Sequence, residues 1–199
     1  MHTIYSLMNS GTVFSLFLQV VPITLLVGAA YAVYRCIRIR KQCRAVCWGK
    51  ELMRWLFVCY LTGLVNLILV PAGLWMHIWA TLCIGYSHSE ITLFSGTFNL
   101  VPTVVKLLAG QLTPGRWVLK MLLHNFLMFL PFGFFLPFVS GKVNRRSIWK
   151  IALLVPVTVE AVQPVIGRSF DADDLLLNFA GIVVGYFAAA LLPSIRRTA

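Results

Sequence analysis

Acidic residues are scarce in this chain, whose 199 residues include 6 Asp and Glu against 17 Lys and Arg. Charged residues of both signs make up 12% of the chain, whereas a soluble domain carries about 25%. Apolar residues make up 59%, and the mean hydropathy is +0.85. This composition excludes an ordinary soluble domain and indicates an integral membrane protein. The net charge of +11 fits basic loops at a membrane surface, and no nucleic-acid partner is predicted.

Several motifs that would indicate a particular chemistry are also missing. The 5 cysteines are odd in number and have no C-x-x-C spacing, which disfavours a disulfide scaffold or a zinc ribbon. Cys36, Cys43 and Cys47 lie in a basic segment, and we interpret them as free thiols. No phosphate-binding loop and no Ser-His-Asp or Cys-His grouping is visible, so these patterns assign no cofactor. No basic region precedes the first apolar run, so a cleaved signal peptide is not expected.

Five segments are apolar enough, and long enough, to cross a membrane as a helix of about 20 residues. They are residues 11–34, 56–79, 120–139, 148–166 and 174–192. The sequence therefore predicts an all-α fold, an integral membrane helical bundle of about five transmembrane helices. The bundle is expected to form a single domain over residues 1–199.

The basic residues predict how this bundle is oriented. Seven of them lie at 35–54, four at 142–150 and two at 196–197, and five spans place these regions on one side. Lys and Arg collect in cytoplasmic loops, so we expect the N-terminus outside and the C-terminus inside. Glu51 is then cytoplasmic, and the other five acidic residues lie at or near the extracellular face.

The last predicted span begins with an acidic cluster. Asp174, Asn178, Gly181 and Gly185 are spaced i, i+4, i+7 and i+11, so they share one face of a helix. Gly181 and Gly185 form a G-x-x-x-G spacing, which allows another helix to approach closely. Asp171 lies three residues before Asp174 and can either join this face or cap the helix.

Polar residues also mark the outer end of the preceding span. Glu160 and Gln163 are three residues apart and share a helix face. Pro164 is expected to kink or end that helix, and Gly167 permits a turn that sets Arg168 opposite the acidic cluster. Glu160 sits in an apolar run, and an ionisable residue at membrane depth indicates a functional site.

The third predicted span brings further polar groups to the same side. Lys120, His124 and Met128 share one helix face, and Asn125 lies beside His124. The motif LPFGFFLP follows and places three residues that perturb helices in one span: Pro131, Gly133 and Pro137. Neighbouring helices can satisfy the backbone groups that such residues leave free.

The outer loop at 82–112 is too apolar for a freely solvated loop. Its stretch SGTFNLVPTVVKLLAG is typical of an interfacial or re-entrant segment. Pro102 predicts the start of a short amphipathic helix, and Gly110 its end. We expect this helix to cover the polar mouth as a lid, with a passive interfacial helix as the alternative.

The polar residues also have purely structural interpretations. Asp171 or Asp173 can serve only as a helix cap, and Arg168 can pair with an Asp across a tight turn. Asn125 and Asn178 can hold neighbouring helices together by hydrogen bonds. Under this interpretation the polar face holds the last three spans together and binds no ligand.

Four blocks of the sequence, in their order and spacing, resemble the VanZ-like family of bacterial membrane proteins. The blocks are FNLVPT, HNFLMFLPFGFFLP, a basic loop and TVEAVQPVIGRSFDADDLLLNFAGIVVGY, and the most specific region is 98–186. The family pattern maps onto Asn125, Pro131, Gly133, Glu160, Gln163, Arg168, Asp171, Asp174, Asn178, Gly181, Gly185 and Tyr186. Thr103 replaces an aromatic residue that is usual in the family. The resemblance implies that Asp171 and Asp174 are site acids and that Asp173 caps the last helix.

The resemblance implies a multi-pass protein of the bacterial cytoplasmic membrane, associated with resistance to teicoplanin and to lipoglycopeptide antibiotics. The first hypothesis is a non-enzymatic protein that binds or moves an amphiphile at the outer leaflet. That ligand would be a membrane lipid headgroup, a cell-wall lipid precursor or a lipid-tailed antibiotic. The residues expected to bind it are Lys120, Asn125, Glu160, Gln163, Arg168, Asp171, Asp174 and Asn178.

The alternative hypothesis is an integral-membrane enzyme that modifies a lipid or envelope headgroup. Glu160, Asp171 and Asp174 would then act as acids and bases or as metal ligands, with His124 as a proton shuttle. A hard-metal or zinc site would need these four side chains together. No H-x-x-x-H or similar spacing supports one, so no metal site is predicted.

Overall fold

The structure, a computed structural model, describes residues 13–42, 46–70, 96–110 and 115–192, with the single residues 74, 78, 81, 85 and 94. Its helices are α1 (Val13–Gln42), α2 (Trp48–Leu69), α3 (Thr103–Leu108), α4 (Arg116–Val139), α5 (Ser147–Val162) and α6 (Ala172–Ala190). A 3-10 turn at Gln163–Ile166 follows α5, and two short strands are β1 (Phe98–Asn99) and β2 (Phe170–Asp171).

This architecture confirms the predicted all-α membrane helical bundle. Within the described residues, four helical segments are long and apolar enough to cross a membrane: Val20–Lys41, Trp48–Leu69, Ser147–Ile166 and Ala172–Ala190. The apolar part of α4, Leu123–Val139, is shorter. Large apolar side chains such as Leu25 and Leu26 remain exposed on α1, as expected for a surface that faces lipid.

The three later spans lie within a few residues of their predictions, but the first two were wrongly bounded. α1 continues to Gln42, and α2 begins at Trp48 and ends at Leu69, not at residues 56 and 79. Val70 is extended, with φ −88° and ψ 130°, as the residue before a proline prefers to be. Residues 71–73, 75–77 and 79 of the predicted second span lie outside the described residues.

A charged cluster joins the helical parts of the basic segment between the first two spans. Arg35 of α1 donates to both carboxylate oxygens of Glu51 on α2, from Nε at 2.7 Å and from Nη2 at 2.5 Å. Arg54 adds a third hydrogen bond to Glu51 at 2.7 Å. One carboxylate thus joins two helices by charge-assisted hydrogen bonds, which a scan of the local sequence cannot detect.

The contact between α4 and α6 is the closest helix packing near the site. Gly133 of α4 lies against the backbone of Ile182 on α6, and a Cβ there would collide with it. Gly185 of α6 lies against the backbone of Leu130 in the same way, and Gly181 lies against Phe126. Glycines on both helices therefore let the two backbones touch, as the small-residue rule for membrane helices describes.

The buried core joins α2, α4, α5 and α6. It contains Phe57, Leu64, Ile68, Phe129, Leu136, Ile148, Ala152, Ile182 and Tyr186. The hydroxyl of Tyr60 donates to the carbonyl of Met128 at 2.6 Å and so fixes α2 to α4. These contacts hold α4, α5 and α6 together beneath the polar end of the bundle.

Candidate functional site

A short parallel strand pair brings the segment at 96–110 to the start of α6. Phe98 pairs with Phe170, and Asn99 pairs with Asp171. The amide of Phe170 donates to the carbonyl of Thr97 at 2.8 Å. The predicted helix after Pro102 is present as α3, and Gly110 follows it with φ +70°.

The Asp171 carboxylate is a central acceptor of the site. It caps α6, because its Oδ1 accepts from the Asp173 amide at 2.9 Å. Its Oδ2 accepts from Nδ2 of Asn99 at 2.9 Å, and Oδ1 of Asn99 accepts from Nζ of Lys106 at 2.6 Å. The backbone amide of Asp171 donates to Oε2 of Glu160 at 3.1 Å. Four segments of the chain, 96–110, α5, β2 and α6, therefore meet at this residue.

Asp173 does not cap α6, so the prediction that it does is wrong. The residue is 3% exposed, and both of its carboxylate oxygens accept from the Thr103 amide, at 2.9 and 2.8 Å. It therefore holds the first turn of α3, where free amides and the helix dipole favour a carboxylate. Asp171 caps α6 because its backbone is extended, with φ −130° and ψ 124°, as the residue before a helix usually is.

The inner face of α6 continues the polar cluster toward the membrane interior. Asp174 accepts a hydrogen bond from Asn125 of α4. Asn178 lies one turn further along and is 3% exposed, and its Oδ1 has no hydrogen-bond partner among the described residues. Asp174 and Asn178 therefore lie along the side of α6 that Gly181 brings against α4, and Asn125 faces them from α4.

Glu160 is fully buried at the C-terminal end of α5. Its Oε2 accepts from the Asp171 amide. With its amide nitrogen assigned from the hydrogen-bond pattern, Gln163 donates to this same Oε2 and to the Ser169 carbonyl, each at 3.1 Å. The other carboxylate oxygen, Oε1, has no hydrogen-bond partner among the described residues.

Two buried acceptors therefore lack a hydrogen-bond partner among the described residues: Oε1 of Glu160 and Oδ1 of Asn178. More than about 90% of buried polar groups in proteins have a hydrogen-bond partner, and an unpartnered one costs about 1–3 kcal/mol. Both atoms belong to helices that flank the acidic cluster. A molecule that supplies N–H or O–H donors would satisfy them.

The VanZ/LLP1 family profile matches residues 57–193. The chain belongs to the VanZ/LLP1 family. The matched range contains residues 57–69 of α2, all of α3 to α6 and all of the site residues described above, whereas α1 and the start of α2 lie outside it. No curated protein and no solved structure matches the chain.

In this VanZ/LLP1 member, Arg168 does not pair with Asp171, Asp173 or Asp174, which was its structural interpretation from the sequence. Its Nη1 donates to the Leu67 carbonyl at 2.5 Å and to the Ile68 carbonyl at 3.2 Å. Among the described residues, no ion pair joins Arg168 to an acid. The last carbonyls of a helix lack partners within it, so Arg168 satisfies the end of α2.

Arg168→Gln is expected to lower the free energy of unfolding by about 1 kcal/mol, because an exposed guanidinium loses two carbonyl acceptors. The measurement is chemical unfolding in detergent, with Lys50→Gln as a control at an exposed position of α2. Ligand affinity should change little in the folded variant. Lost affinity at unchanged stability would instead assign Arg168 to the ligand.

One other predicted residue, His124, stands apart from the network, and the side chain of another, Lys120, is not described. His124 is exposed, and no hydrogen bond joins it to another described residue. The side chain of Lys120 lies outside the part of the chain whose side chains are described. Across the described residues, no three His, Cys, Asp or Glu side chains are placed to hold a metal ion.

The sequence interpretation missed Asn99, Lys106 and the amide of Thr103. Asn99 and the Thr103 amide contact the acids across about 70 residues of chain, and Lys106 is joined to them through Asn99, so helix spacing could not reveal these contacts. The sequence does contain one signal for these residues: Asn99 and Lys106 are polar residues in a mostly apolar segment.

Proposed function

We propose that this VanZ/LLP1 membrane protein binds or moves an amphiphile whose headgroup carries an ammonium group. The observation that carries the proposal is the pair of unpartnered buried acceptors, Oε1 of Glu160 and Oδ1 of Asn178. An ammonium group supplies several N–H donors from one atom, so a single headgroup can satisfy more than one acceptor.

The charge of the site favours a cationic donor over a neutral hydroxyl. Glu160, Asp171 and Asp173 lie within one hydrogen-bond network, and Asp174 follows Asp173 directly in the chain. Lys106 is a cation bound to this network through Asn99. Carboxylates shielded from water attract a cation more strongly than they would at an exposed surface. An ammonium therefore complements the site better than a phosphate would.

Apolar surface next to the network would accommodate the tail of the amphiphile. Leu176 on α6 is 55% exposed, and Val165 in the 3-10 turn is 46% exposed. Phe98 and Leu100, in the segment at 96–110, expose about two thirds of their surface, at 67% and 68%. In a membrane such surfaces contact acyl chains, so a ligand with a head and a tail suits this end of the bundle.

The distribution of basic residues supports placing this site at the outer leaflet of a bacterial cytoplasmic membrane. The amphiphile would then be a membrane lipid, a cell-wall lipid precursor or a lipid-tailed antibiotic. A role in glycopeptide or lipoglycopeptide resistance would follow if the protein withdraws or presents such a molecule at the cell surface.

Binding of phosphatidylethanolamine to the purified protein, counted by native mass spectrometry, tests the proposal. Glu160→Gln and Asp174→Asn keep side-chain shape and remove one carboxylate each, and each should weaken binding roughly tenfold. Thr158→Val is the control, because Thr158 is an exposed residue of α5 whose hydroxyl bonds only to its own helix. Unchanged binding in both carboxylate variants would contradict the proposal.

The same incubation separates a binding protein from an enzyme. An enzyme that uses Glu160 or Asp174 as an acid or base must release a modified headgroup, which mass spectrometry of the recovered lipid detects. A product that disappears in Glu160→Gln would replace the binding proposal with the enzymatic one. Recovery of unmodified lipid with tight binding supports the binding proposal.

A further inference from the structure

A cavity of about 1430 Å³ lies toward the opposite end of α6 from the acidic site. It is bounded by residues 140–146, which connect α4 to α5, and by the last turns of α6. Tyr186 on its wall is twelve residues after Asp174, or about 18 Å along the helix. The cavity therefore shares no residue with the proposed ammonium site.

Positive charge is concentrated at this cavity. Lys142, Arg145 and Arg146 line it, and all three are exposed. Its lining within the described residues includes no Asp or Glu. The sequence that follows, at 193–199, adds two arginines and no acidic side chain, so it does not complement this charge. An anion from outside the chain does complement it.

The other wall of the cavity is apolar and belongs to α6. Val183, Val184 and Phe187 line it, and Val184 is 46% exposed. A free inorganic anion gains nothing from such a wall. A ligand that combines an anionic head with an acyl chain would use both walls, and a membrane supplies that ligand at high local concentration.

Tyr186 adds a hydrogen-bond donor to the wall of the cavity. The residue is 7% exposed and lines the cavity, yet its hydroxyl makes no hydrogen bond with any described residue. A tyrosine hydroxyl that faces a cavity can donate one hydrogen bond to a ligand there. A headgroup or ester oxygen in the cavity would accept a hydrogen bond from it.

We propose that this cavity binds an anionic phospholipid of the surrounding membrane. Lys142, Arg145 and Arg146 contact the phosphate, the Tyr186 hydroxyl donates to an oxygen of the head or ester region, and one acyl chain lies along α6. This cavity lies at the basic end of the bundle, so the proposal does not depend on the proposed ammonium site.

The test is native mass spectrometry of the full chain with phosphatidylglycerol and with phosphatidylcholine of the same acyl chains. Wild type should retain phosphatidylglycerol preferentially, and R145Q/R146Q should weaken that binding roughly tenfold. Y186F should weaken it roughly threefold, because one hydrogen bond is lost while the ring remains. The control is K41Q/K50Q, which removes two exposed cations that do not line this cavity.

Several outcomes would overturn the proposal. In the first, wild type retains phosphatidylglycerol and phosphatidylcholine equally. In the second, R145Q/R146Q retains phosphatidylglycerol as well as wild type does. In the third, K41Q/K50Q loses as much phosphatidylglycerol binding as R145Q/R146Q. Displacement of the lipid by millimolar inorganic phosphate would show that the cavity is a site for the free anion. If R145Q/R146Q does not fold, Y186F together with the single variant K142Q decides the test in the same assay.

Discussion

Gly133→Ala is expected to destabilise the helical bundle by about 3 kcal/mol, one of the two largest effects that we predict. The added Cβ would meet the carbonyl oxygen, carbonyl carbon and Cα of Ile182. All three are backbone atoms of α6, so no side chain can rotate aside to relieve the collision. α4 and α6 must then move apart. This movement weakens the hydrogen bond from Asn125 of α4 to Asp174 of α6.

The measurement is the free energy of unfolding in mixed detergent micelles, followed by the loss of helical signal. Gly141→Ala is the matched control, because a Cβ at Gly141 would meet nothing within 4 Å. That variant should unfold like the wild type. Equal stability of the two variants would show that α4 and α6 are not in backbone contact in the membrane protein.

Asp173→Ala is expected to release residues 96–110 from the start of α6. Its two carboxylate oxygens accept from the Thr103 amide in a buried setting, and a hydrogen bond to a charged group contributes about 1.5–3 kcal/mol. Alanine leaves that amide unpartnered. The segment should then open locally more often, while the long helices stay packed.

Limited digestion with trypsin measures this opening at Lys106 in α3. When closing is faster than cleavage, a loss of about 2 kcal/mol raises the cleavage rate roughly thirtyfold. Cleavage after Lys142, in the connection between α4 and α5, serves as the internal control and should not change. An unchanged rate of cleavage at Lys106 would contradict the role of Asp173 in holding residues 96–110 to the start of α6.

The helices of the last three spans could be predicted because their signals are local. Apolar length, Pro164 and Gly167 define where α5 ends, and the structure has a 3-10 turn at Gln163–Ile166 followed by Gly167 with φ +78°. The cluster of Asp and Asn residues at the start of α6 could also be anticipated, because helix spacing places Asp174 and Asn178 on one face.

The partners of these residues could not be predicted, because they depend on contacts distant in sequence. Asp171 pairs with Asn99 across 72 residues, and Arg168 reaches Leu67 across 101. Which aspartate caps α6 depends on the strand pairing that keeps Asp171 extended, and a periodicity argument contains no such information. The sequence interpretation therefore assigned the cap to Asp173, whereas Asp171 forms it.

Centrally, we propose that two buried acceptors, Oε1 of Glu160 and Oδ1 of Asn178, bind the N–H donors of a headgroup. The most direct test is the affinity of the wild-type protein for phosphatidylethanolamine and for its mono-, di- and trimethylated forms, with identical acyl chains. Methylation removes the donors one by one and keeps the positive charge. We expect affinity to fall stepwise, roughly tenfold over the series, and Glu160→Gln to flatten that fall. Equal affinity for all four lipids would contradict the account.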